Sequence, residues 1–220
     1  MTAVPPKRSR YAPKPIRPPV KKLDLKKTNL YLVGMMGAGK TTIGRKLANR
    51  LGYRFIDTDD LIEQTAKQPI NQIFAQSGEA EFRRLESEVL SQLSAYTELV
   101  VATGGGIVTQ SMNWSYLRHG VVVWLDVPIP VLMSRLSGDT SRPLLKEVDL
   151  ETKLKTLLTE RSNLYAQADV RIPYEGRSVG KTCDRILAAI KKIVREPKRE
   201  ADPVTISQQS INPPAPKSSK

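Results

Sequence analysis

Eight consecutive residues, Gly34-Met35-Met36-Gly37-Ala38-Gly39-Lys40-Thr41, carry chemistry in their spacing alone. They fit G-x-x-x-x-G-K-[ST], the pattern of a phosphate-binding loop. Glycines let the backbone turn tightly and approach an anion closely, so that successive N–H groups converge on a phosphate at the positive end of the next helix. In this reading Gly37, Ala38, Gly39, Lys40, Thr41 and Thr42 hold the phosphates of a nucleotide. Lys40 reaches the β and γ groups, and the Thr41 hydroxyl meets Mg²⁺.

Four further groups of residues could act beside that loop. Asp57-Thr58-Asp59-Asp60 sets three carboxylates within four residues; Asp60 could simply cap a helix, whereas Asp57 and Asp59 read as functional. Arg83 and Glu86 lie three apart on an amphipathic helical stretch, where the plainest account is a surface ion pair. Gly104-Gly105-Gly106 ends an apolar run and allows backbone to come close to a ligand. Ser137-Gly138-Asp139-Thr140-Ser141-Arg142-Pro143-Leu144-Leu145 reads as a mobile loop carrying one arginine, and Arg161 falls near the end of the helix that follows.

The elements that must position these groups alternate strand and helix. Asn29 to Val33 is an apolar run leading into the loop, and a helix over 40–51 is closed by Gly52. Short strands follow at 53–56, 99–103, 121–127 and 168–172, separated by helices at 78–90, 129–137 and 150–166, with a last helix over 180–194. The run Val121-Val122-Val123-Trp124-Leu125 is apolar throughout, as expected of a parallel strand covered on both faces. Such alternation predicts an α/β fold with a parallel sheet wrapped by helices, and in open sheets of this kind ligands bind beyond the carboxyl ends of the strands.

Composition narrows the reading further. A chain of 220 residues with 40% hydrophobic content suits one sizeable domain, expected over residues 28–195. The formal net charge of +13 suggests nucleic acid until it is located. Residues 1–27 hold nine Lys or Arg against one acid, Asp24, in a Pro-rich stretch without an aromatic stacking pattern, which reads as a disordered, solvated tail. Residues 196–220 read as a second disordered tail. A single cysteine and a single histidine exclude an intrachain disulfide and a Cys/His metal site. With no long apolar run and no signal-peptide pattern, the expectation is a cytoplasmic protein with no membrane or nucleic-acid partner.

Taken together, the stretch from about Asn29 to about Val194 resembles the shikimate kinase family. The resemblance rests on the order Gly37-Ala38-Gly39-Lys40-Thr41-Thr42, Asp57-Thr58-Asp59, Phe82-Arg83-Arg84-x-Glu86, Gly104-Gly105-Gly106, Arg142-Pro143-Leu144-Leu145, and Glu160-Arg161 followed by Leu164-Tyr165. It implies a P-loop kinase fold with a mobile lid, and a monomer that phosphorylates the 3-hydroxyl of shikimate with ATP. By the same resemblance Asp59 would bind the substrate hydroxyls, Arg83 and Arg161 its carboxylate, and Gly105 its backbone contact. Arg142 would close over ATP, Arg177 would stack on adenine, and Asp57 would meet Mg²⁺ through water. Glu86 would orient Arg83. Relatives usually carry a proline between the arginine and Leu-Tyr, where this chain has Ser162-Asn163. Rival readings are a gluconate or nucleoside monophosphate kinase of the same fold, or a catalytically silent relative.

Overall fold

A computed structural model describes residue 25, residues 27–137 and residues 149–195. Arg142 and the expected lid lie outside the described residues, as do the two expected tails apart from Leu25 and Lys27. Five strands, β1 (Asn29–Val33), β2 (Arg54–Asp57), β3 (Leu99–Ala102), β4 (Gly120–Asp126) and β5 (Val170–Pro173), form one sheet in the order β2-β3-β1-β4-β5. Every neighbouring pair is parallel. The residues of β1 and β3 are all buried, because helices cover both faces; this is why their sequences run apolar without alternation.

The register aligns the strand ends. Leu32 of β1 sits beside Ala102 of β3 and Val123 of β4, and Asp57 of β2 sits beside Ala102. The segments that leave β1, β2 and β3 therefore emerge side by side: the phosphate loop, the aspartates and the glycine triplet. One buried side chain fastens the other end. Asn29 donates from Nδ2 to the Tyr96 carbonyl at 2.7 Å and accepts the Leu99 N–H at 3.0 Å. It thereby satisfies the turn that feeds β3.

Helix α1 (Lys40–Leu51) buries Ile43, Leu47 and Leu51 at four-residue spacing. It ends at Gly52, whose left-handed backbone (φ 73°) lets its N–H reach the Ala48 carbonyl. Helix α2 (Thr58–Ala66) starts directly at the end of β2, capped by Asp57, whose side chain accepts from the Asp59 N–H. The cap is thus Asp57, and Asp60 pairs instead with Arg45 at 3.7 Å on the surface. Helix α3 (Ile70–Ser94) is longer than the pattern suggests and is broken at Gly78 (φ 77°, ψ 177°). Among the described residues four more α-helices complete the layers: α4 (Ser111–Leu117), α5 (Ile129–Leu136), α6 (Leu150–Tyr165) and α7 (Val179–Arg195). Helix α6 runs unbroken through Ser162 and Asn163.

Leu25, placed by sequence in the tail, is 2% exposed and joins the core, and Lys27 accepts the Glu98 N–H through its carbonyl. An apolar residue among lysines was hidden by the charge around it.

Candidate active site

Two cavities open at the carboxyl ends of the strands. The first, of about 360 Å³, runs along the phosphate loop from Gly37 to Ile43 and on to Tyr174 and Arg177. The second, of about 300 Å³, lies under α2 and α3, with Phe74 and Phe82 on its apolar side and Arg83 and Arg161 on its charged side. Asp59 and Gly105 line both. The two cavities adjoin at these two residues.

In the first cavity Gly37, Ala38, Gly39, Lys40, Thr41 and Thr42 all line the wall. The Lys40 ammonium reaches back over the loop and donates to the carbonyls of Gly34 (2.8 Å) and Met35 (2.9 Å). Thr41 Oγ1 donates to Asp57 Oδ2 at 2.7 Å, so two hard oxygen ligands from different elements already meet. That donor set fits Mg²⁺. Arg177 lines the cavity but is exposed and bound to Glu175 Oε2. Arg135, which nothing in the sequence singled out, contributes more. From α5 it donates to the Gly37 carbonyl at 2.9 Å and stands 5.3 Å from the Tyr174 ring centroid, at the far end of the same cavity.

The second cavity holds buried charge. Arg83 and Arg161 are 8% and 5% exposed, and Glu86 is 1% exposed. The Arg83–Glu86 pair is therefore no surface ion pair: Nη1 donates to Glu86 Oε2 inside the protein. Burial pushes the Glu86 carboxyl up to about 7, with Arg83 opposing the rise and the nearby Asp59 charge adding to it. Glu86 Oε1 and Arg161 Nε are buried without a hydrogen-bond partner among the described residues. An unsatisfied guanidinium N–H costs free energy unless an anion completes it.

Close approach explains the glycine triplet. A Cβ on Gly104 would lie 2.2 Å from Glu86 Oε1 and 3.1 Å from Asp59 Oδ1, and one on Gly106 would lie 2.1 Å from Arg83 Nη1. Only a bare backbone lets both carboxylates and the arginine crowd this turn. The turn is held from both sides. Thr58 Oγ1 accepts the Gly104 N–H at 3.0 Å, and the Tyr165 hydroxyl donates to the Gly105 carbonyl at 2.6 Å. Burial lifts the Tyr165 phenol to about 12, which keeps it a donor at any physiological pH. Tyr165 belongs to a recognised sequence feature, yet its part in fixing Gly105 had no sequence signal.

A phosphate loop at the head of a parallel sheet in the order β2-β3-β1-β4-β5, joined to a pocket of buried arginines, defines a P-loop kinase of small molecules. A family model described as shikimate kinase matches residues 36–191. A shikimate kinase from a Nostoc species is 51% identical over 173 residues, covering 78% of this chain and 96% of the relative. One from Trichormus variabilis is 60% identical over 148 residues, covering 67% and 82%. Among solved structures, shikimate kinase from Acinetobacter baumannii in complex with shikimate matches with a TM-score of 0.73 at 39% identity, over 78% of this chain and 96% of that one. A gluconokinase from Sinorhizobium meliloti, at 16% identity and a TM-score of 0.51, shares the fold alone. This chain belongs to the shikimate kinase family.

Proposed function

We propose that this chain transfers the γ-phosphoryl group of ATP to the 3-hydroxyl of shikimate. The observation that carries the reading is the second cavity. Two buried arginines share this pocket with the apolar rings of Phe74 and Phe82, and Asp59 stands at the junction with the phosphate loop. A carbocycle bearing a carboxylate at one end and hydroxyls at the other matches that distribution.

In this reading Arg83 and Arg161 clamp the carboxylate, since the guanidinium fork pairs bidentately with it. Gly105 gives a backbone contact. Asp59 accepts the hydrogen bond of the reacting hydroxyl and aims it toward the phosphate loop, where Lys40 and the loop N–H groups hold the β and γ phosphates. Thr41 and Asp57 would hold Mg²⁺, which supplies charge neutralisation on the phosphates. Arg142 would close over ATP, and Arg135 and Tyr174 favour the adenine end over the exposed Arg177. The lone, buried Cys183 supports a reducing, cytoplasmic setting.

The test is a coupled assay of ADP release with the purified chain across shikimate, quinate, gluconate and the nucleoside monophosphates. Shikimate should give the highest kcat/KM by at least about 100-fold, the scale of one or more lost charged contacts. Comparable turnover of gluconate or a nucleotide would overturn the assignment.

A further inference from the structure

The three carbonyls of the glycine triplet are satisfied in two different ways. Gly104 accepts the Ile107 N–H at 3.3 Å, and Gly106 accepts both the N–H and the hydroxyl of Thr109, at 3.0 and 2.7 Å. Those bonds are local, so they travel with the turn. The Gly105 carbonyl instead takes its hydrogen bond from Tyr165, the last residue of α6. Glycine backbone has no side chain to stiffen it, so this bond, with that of Thr58 to Gly104, ties the turn to the rest of the protein.

The position of Gly105 matters because the two cavities adjoin there. A Cβ on Gly105 would lie 3.4 Å from the Met36 nitrogen and 3.5 Å from the Gly34 carbonyl oxygen, both in the phosphate loop, and 3.8 Å from Arg161 Nη1. The Tyr165 side chain reaches the same parts. Its hydroxyl is 3.7 Å from Met35 Sδ in the loop, and it stands four residues after Arg161 on one face of α6, where the arginine's charge acts on the phenol. The ring itself is fully buried and stacked on Trp124 of β4, so the hydroxyl is referred to the sheet rather than to the turn it holds.

We propose that the Tyr165 hydroxyl is a positioning group for the transfer step: it pins the glycine turn against the phosphate loop, so that the acceptor hydroxyl rather than water is presented to the γ-phosphate. This rests on the assignment of Gly105 and Arg161 to the acceptor. Without the hydroxyl the arginines still hold the acceptor, but its reacting oxygen loses alignment with the phosphoryl group. Water then takes that group more often. Its oxygen bonds to the γ-phosphorus as the bond to ADP breaks, leaving ADP, phosphate and a proton released to solvent.

Tyr165→Phe keeps the ring and removes the one group at issue, and it is assayed well below its unfolding midpoint so that lost stability cannot lower the rate. Its kcat should fall about 10- to 100-fold, the scale of a misplaced reacting group, with KM for shikimate within about threefold of the unmodified value. The ratio of ADP released to shikimate 3-phosphate formed should rise above that of the unmodified chain. A merely structural role would lower the unfolding midpoint and leave both kcat and that ratio unaltered, which overturns the proposal. A raised KM with kcat and the ratio retained overturns it as well. Absence of turnover of shikimate by the unmodified chain would instead overturn the assignment of the substrate, so the two failures are distinct.

Discussion

Glu86 shows how far a single residue can depart from its sequence appearance. The spacing to Arg83 was legible, but burial was not, because an ion pair three apart on a helix looks the same inside or outside. Its carboxyl sits at about 7 against an ordinary 4.5, chiefly through burial. The folded protein therefore holds this proton more tightly than the unfolded chain does. Its contribution to stability is full below about 4.5 and is lost as pH rises through about 7. Unfolding free energy should fall by on the order of 1–3 kcal/mol more between pH 5 and 8 in the wild type than in Glu86→Gln, measured by urea denaturation. An equal slope in both would show that another group carries the change. Two other residues test the reaction itself. Lys40→Ala should lose at least about 10²-fold in kcat while remaining folded by circular dichroism, because it removes charge from the phosphates rather than a core contact. Asp59→Asn should lose about 10²- to 10⁴-fold in kcat with KM little altered, the range for a positioned acid or base. Near-normal kcat in either variant would contradict the role assigned to it.

At the scale of elements, legibility followed the strength of local signals. Helix α1 was readable to the residue, because Lys40 opens it after the loop and Gly52 closes it. The first half of α3 and all of α4 were not read. Helix α4 buries Asn113, Trp114 and Leu117 and is held by side-chain bonds into the preceding turn, from Asn113 to the Ile107 carbonyl and from Trp114 to the Val108 carbonyl. A helix secured by tertiary hydrogen bonds leaves little periodic trace. Arg135 was missed for a related reason: its partners, Gly37 and Tyr174, come from distant loops. The sheet depends on one such long-range polar contact. Asn29→Ala would strip the Tyr96 carbonyl and the Leu99 N–H of a buried partner, at a cost of about 2–4 kcal/mol. The loss should appear in the denaturation midpoint with KM unchanged, since Asn29 lies at the end of β1 remote from both cavities. A shift in KM of the same variant would mean that the strand end communicates with the site.

For the whole molecule, strand order does the assembling: β3, β1 and β4 lie side by side, so loops far apart in sequence converge on one rim. The limits of the folding unit can be probed from the amino end. Residues 1–24 are rich in Pro, Lys and Arg and offer little apolar area to bury, so their removal should leave stability within about 0.5 kcal/mol. Removal through residue 27 should cost about 1.5–3 kcal/mol, because Leu25 is buried. Equal stability of the two shortened chains would show that Leu25 contributes nothing. No helix of the described residues is long and apolar enough to cross a membrane. The Tyr165 that fastens Gly105 also stacks on Trp124, with ring centroids 5.8 Å apart, and the Arg171 guanidinium lies 4.8 Å from the indole centroid. Anything that tugs on the Gly105 carbonyl therefore tugs on a fluorophore. The chain carries its own optical gauge: emission excited at the indole band should shift as acceptor is titrated in, without dye or coupling enzyme. Trp124→Phe should darken most of that response, and a response left undimmed would trace it to Trp114.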